Sequence, residues 1–139
     1  MNKLFYFLFL SVLLFGCTVS PQEIEYGKDA CSFCKMTIVE TKFAAEIVTN
    51  KGRASKYDAI ECMLNDIKGK KENTLSFILV TDYTKPKTLI DATKATYLIS
   101  KKIKSPMGAN LSSYITKEEA QLNGENLFNW KTLKAHFSN

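Results

Sequence analysis

The stretch Phe43-Ala44-Ala45-Glu46-Ile47-Val48-Thr49-Asn50-Lys51-Gly52-Arg53-Ala54-Ser55-Lys56-Tyr57-Asp58-Ala59-Ile60-Glu61-Cys62-Met63-Leu64-Asn65-Asp66-Ile67-Lys68-Gly69 decides the fold. Phe43, Ala45 and Ile47 alternate with Ala44, Glu46 and Val48, which is the period of an extended strand. Asn50-Lys51-Gly52 interrupts the run as a turn, and residues 53–57 predict a second strand. Asp58 with Glu61 three residues later then resembles a capping box. Ile60, Met63, Leu64 and Ile67 fall at i, i+3, i+4 and i+7 ahead of Gly69, so an amphipathic helix follows with a start and a stop. The apolar, β-branched run at residues 75–81 suits a buried strand.

The same order recurs further on. Residues 95–100 and 110–115 predict strands, Thr116 with Glu119 forms a second capping-box-like start, and Gly124 stops the helix before residues 126–130. A closing helix carries Leu133 and Phe137. The expectation is an α+β protein of two small, similar ββαβ units. They join around residues 82–91, where Pro86 interrupts.

Upstream, Lys3 and the apolar residues 4–15 form a leader too short to span a bilayer permanently. It ends in Leu14-Phe15-Gly16-Cys17, which resembles the box where a lipoprotein signal peptidase cuts and the cysteine takes the lipid. The plainer alternative is an ordinary cleaved signal with Cys17 left as a thiol. Residues 1–16 are thus read as signal peptide and 17–28 as a lipidated, aperiodic tether. Residues 29–84 are the first ββαβ unit and 85–139 the second, with its closing helix. The expected location is the cell envelope, lipid-anchored and facing the periplasm or cell exterior.

The whole chain of 139 residues carries a net charge of +5, and the leader contributes one of those charges through Lys3. That mild excess suits an anionic lipid surface or an acidic partner. Nucleic acid is not expected, because no stacking aromatics or recognition motif accompany the lysines. No nucleophile with a nearby histidine, phosphate-cradling loop or carboxylate pair in a recognisable motif is present, so the chain is not read as an enzyme.

The chemistry gathers in Cys31-Ser32-Phe33-Cys34-Lys35-Met36. Thiolates suit Cu(I) and zinc, while a thioether favours copper. With Cys17 lipidated, three cysteines remain in a compartment that favours disulfides, so at least one stays unpaired. Cys31, Cys34 and Met36 are the leading metal ligands. Cys62 is either a further ligand or a small buried hydrophobe, and Met63, on the helix's apolar face, is core. Met107 sits in a turn and is a second additional ligand candidate. A thiol-disulfide redox role competes, but its cysteine pair should open a helix, whereas Thr37-Ile38-Val39 favours extended chain. A structural zinc site would need Cys31, Cys34 and Cys62 plus His136, the only histidine.

Taken together, Cys31-Ser32-Phe33-Cys34-Lys35-Met36-Thr37-Ile38, Phe43-Ala44-Ala45-Glu46, Tyr57-Asp58-Ala59-Ile60-Glu61-Cys62-Met63 and Ser105-Pro106-Met107-Gly108 resemble the NosL family in order and spacing. The resemblance implies a membrane-tethered Cu(I)-binding chaperone of two ββαβ units. It implies copper supply to nitrous oxide reductase, directly or through its copper-site assembly transporter. The family's cysteine followed two positions later by methionine falls on Cys34 and Met36. Family members are thought to complete the site with a histidine, and here only His136 is on offer, so the third ligand stays open.

Overall fold

The computed structural model describes residue 16 and residues 18–138. Most of the expected leader, and the expected lipidation position Cys17, lie outside the described residues.

The architecture is α+β, built as two antiparallel sheets with short helices. The elements run β1 (Ala45–Thr49), β2 (Ala54–Tyr57), α1 (Ile60–Ile67), a single 3₁₀ turn (Glu72–Thr74) and β3 (Leu75–Thr81). They continue β4 (Leu89–Asp91), β5 (Thr96–Ile99), β6 (Leu111–Tyr114), α2 (Lys117–Gln121), β7 (Leu127–Phe128) and α3 (Trp130–Ser138). The first sheet is ordered β2-β1-β3-β4 and the second β6-β5-β7. In each, the first strand of a strand-strand-helix-strand series is flanked by the second and third, so the two halves share one topology. A parallel bridge between Asp82 and Ser113 links the sheets. It is reinforced by Tyr83 N donating to the Ser113 carbonyl at 2.8 Å and by Ser113 Oγ donating to the Thr81 carbonyl at 2.6 Å.

The apolar face of α1 lands as its spacing demands: Ile60, Met63, Leu64 and Ile67 are all buried, in a core that also takes Tyr57, Val80, Leu111 and Trp130. Just past this helix Gly69 has φ of +78°, a conformation that suits glycine and ends the run. Leu133 on α3 is likewise buried, and Phe137 packs partly against the core.

Three local expectations change and one holds. The Asp58 box does not form, because the helix begins one residue late. Ala59 is the capping position, with no side-chain bond to the helix amides. The Thr116 box does form: its Oγ1 accepts from Glu119 N at 3.2 Å. Gly124 is not a left-handed stop; a Cβ there would stand 2.9 Å from a methyl of the buried Leu98, so the residue is small for packing. Finally, β4 within the connection adds a fourth strand to the first sheet by pairing with β3.

Residues 22–28 lie on the first sheet. Gln22 N donates to Glu46 Oε1 at 2.7 Å, the Lys56 ammonium donates to the Glu23 carbonyl at 2.5 Å, and Ile24 is buried.

Candidate metal centre

Residues 31–36 form a closed loop. Ala30 and Thr37 pair as an antiparallel bridge, Cys31 N donates to the Met36 carbonyl at 2.8 Å, and Lys35 N donates to the Cys31 carbonyl at 3.1 Å. Lys35 turns the chain back with a φ of +67°, left-handed for a non-glycine residue and a local cost that the surrounding bonds offset. The loop is pinned to the outer edge of β2, where Ser32 N donates to the Lys56 carbonyl at 2.8 Å. This sends Cys31 inward, to 1% exposure, and leaves Cys34 half-buried. From the other side, the first turn of α1 supplies the fully buried Cys62. The three sulfurs lie within 4.8 Å of one another.

Their protons are held unequally. For Cys31, burial acts to raise the pKa, but backbone amides of Asp58, Cys34 and Phe33 and the Cys34 thiol stabilise the thiolate and leave it below its ordinary value. For Cys62, burial comes first and the neighbouring Cys31 and Cys34 add to it, so its thiol is pushed far up. Cys31 thus gives up its proton more readily than an ordinary cysteine, and Cys62 less readily.

The sequence candidates divide as follows. Cys31 and Cys34 come together, and Cys62, left open between ligand and core, joins them. Met36 lies at the end of the same loop with 49% of its surface exposed, and Met107 lies on another loop with 42% exposed. Met63 is fully buried beside Cys62 on α1. His136 stacks between Phe128 and Phe137, at 5.1 and 5.3 Å between ring centroids, and is not in the sulfur group. The histidine-completed zinc set is therefore not assembled.

Glu61 is the residue that sequence reasoning misread. Its Oε1 accepts from the Ser105 hydroxyl, and Ser105 Oγ in turn accepts from Asn110 N at 2.9 Å. The helix bearing Cys62 is thereby tied to the turn bearing Met107. Burial raises the Glu61 pKa, and its Oε2 has no partner among the described residues. Nothing in local spacing announces a bond across 44 positions.

Three sulfur donors with no carboxylate or imidazole in the group suit a soft ion of low coordination number, whereas structural zinc takes four ligands. The NosL family model matches residues 21–125. The crystal structure of the copper chaperone NosL from Shewanella denitrificans superposes with a TM-score of 0.69 at 18% identity, covering 82% of this chain and 95% of that one. At that identity the likeness speaks for the fold. None of the curated proteins compared matches. The cysteine loop, the sulfur-bearing helix and the Ser105 to Met107 turn all fall inside the span matched by the family model, and the chain belongs to the NosL family.

Proposed function

We propose that this protein is an extracytoplasmic Cu(I) chaperone, anchored to a membrane by lipid on Cys17, that supplies copper for maturation of nitrous oxide reductase. The recipient is the reductase itself or its copper-site assembly transporter. The observation that carries the reading is the sulfur group of Cys31, Cys34 and Cys62, two of them buried and Cys34 half-buried in the loop that ends at the exposed Met36. A carrier must hold its ion tightly yet release it, and a buried pair of cysteines with one accessible thiol and a thioether on the same loop suits ligand-by-ligand exchange. Family membership and the likeness to a protein described as a copper chaperone support the same choice. The role is binding and transfer, without catalysis. A thiol-disulfide role finds less support, since Cys31 and Cys34 lie in a loop whose amides do not open a helix.

The test is anaerobic Cu(I) titration of the mature protein against a competing chelator, in parallel with zinc. Uptake of about one Cu(I) per chain is expected, with zinc bound more weakly. Cys34→Ser should abolish tight binding and Met36→Ala should weaken it with the fold intact. Tight tetrahedral zinc that Cu(I) does not displace would overturn the reading. Fractionation of Cys17→Ala cells tests the anchor, which predicts release from the membrane with copper binding retained.

A further inference from the structure

The N-terminal segment meets the fold beside the turn between β1 and β2, where a Val19 methyl lies 4.0 Å from the position a Cβ on Gly52 would take. From Gln22 onward the backbone is held by the bonds to Glu46 and Lys56 described above. Two peptide units separate Val19 from Cys17, a reach of at most about 7 Å. An anchor on Cys17 thus leaves almost no slack between the lipid and this end of the first unit.

The same end carries an unbalanced set of cations. Lys51 and Arg53 are exposed on the turn. Asn50 clamps that turn to the 3₁₀ segment, donating from N to the Thr74 carbonyl at 3.0 Å and from Nδ2 to the Asn73 carbonyl at 2.9 Å. The clamp brings in the exposed Lys68, Lys70 and Lys71, and Arg53, Lys70 and Lys35 line one cleft. Lys51, Arg53, Lys68 and Lys71 enter none of the ion pairs among the described residues. The acids nearby are already engaged: Asp66 by Lys70 and the Tyr57 hydroxyl, Glu72 by Lys134.

We propose that this end, residues 50–53 together with 68–71, lies against the anionic headgroups of the bilayer that holds the anchor. The inference rests on the lipid-anchor reading above. Attraction of basic residues to an anionic surface decays within a Debye length of about 8 Å at physiological salt, and the short connection holds the turn at Gly52 near the anchor. Each cation then favours the docked pose roughly fivefold. Lys35, next to Cys34, lines the cleft on the same side, so the metal loop is held along the membrane rather than away from it.

The test uses the acylated mature protein in lipid discs of phosphatidylcholine, with or without phosphatidylglycerol, read by amide hydrogen exchange. Expected is protection of residues 50–53 and 68–71 in the anionic discs only, removed by high salt or by Lys51→Glu with Arg53→Glu, while the protein stays in the disc. Thermal unfolding of the double variant confirms that the fold survives. Equal exchange in both lipids with the protein still anchored would overturn the surface and leave the anchor standing. Release of the protein from the discs by salt would overturn the anchor, and the surface with it.

Discussion

In the first unit the helix after the hairpin opens at Ala59, with no side chain on its free amides, and its third residue is Cys62. In the second unit the equivalent helix opens at Thr116, whose hydroxyl accepts from the amide of its third residue, Glu119. The strands before both helices end on a fully buried tyrosine, Tyr57 and Tyr114, so the positions correspond. The next residue is Met63 in one and Ala120 in the other, both buried. One topology therefore accommodates two uses of a helix N-terminus. The second copy closes it locally and keeps the helix short and mostly exposed. The first forgoes the cap, about 1 kcal/mol, and burying a side chain such as Met63 contributes about 1.5–3 kcal/mol, more than enough to offset it. The helix held by its core is the one that can bring a thiol inside.

The largest effect that sharpens this contrast is expected from Met63→Ala. Loss of the buried side chain should cost about 2–5 kcal/mol in urea unfolding, while the folded fraction keeps its Cu(I) affinity. A loss below that range would mean that α1 is not held by its core face. Thr116→Ala should be smaller, about 1 kcal/mol, with no change in copper binding. If it were silent, the two helix starts would not differ as described. The smallest effect concerns pH. The three carboxyls raised by burial, Glu46, Asp58 and Glu61, all belong to the first unit. A raised pKa means that the folded state holds its proton longer, so this contribution is fully present below the ordinary value of 4.5 for Glu46 and is lost as pH rises through the raised one. Unfolding midpoints of Glu46→Gln across that window should slope less than those of the parent. The carboxyls lowered in the fold, such as Asp29 and Asp91, act in the opposite sense and cancel in the comparison. Parallel slopes would remove Glu46 from the account.

What was legible in the sequence is what repeats locally. The alternation at residues 43–49 and the i, i+3, i+4, i+7 spacing from Ile60 encode burial directly, so β1 and α1 could be read with little error. Three-residue β4 has too short a span for any period, and it forms because β3 offers Leu79, Val80 and Thr81 as partners. Cys31 and Cys34 were legible as a pair through their spacing, and Cys62 stayed open between ligand and core, because only the docking of α1 under the loop decides that its sulfur meets theirs. The same holds for Glu61, whose role depends on a turn in the other unit.

The cysteine loop has one more consequence. β2 is the outer strand of its sheet, and an open edge of that kind invites another chain to pair with it. Ser32 takes the outward carbonyl of Lys56, so the loop that bears the thiols also stands guard over the edge. A chain whose loop has come away, through damage to its sulfurs or incomplete folding, bares that backbone to its neighbours. Metal site and edge protection therefore depend on the same few residues.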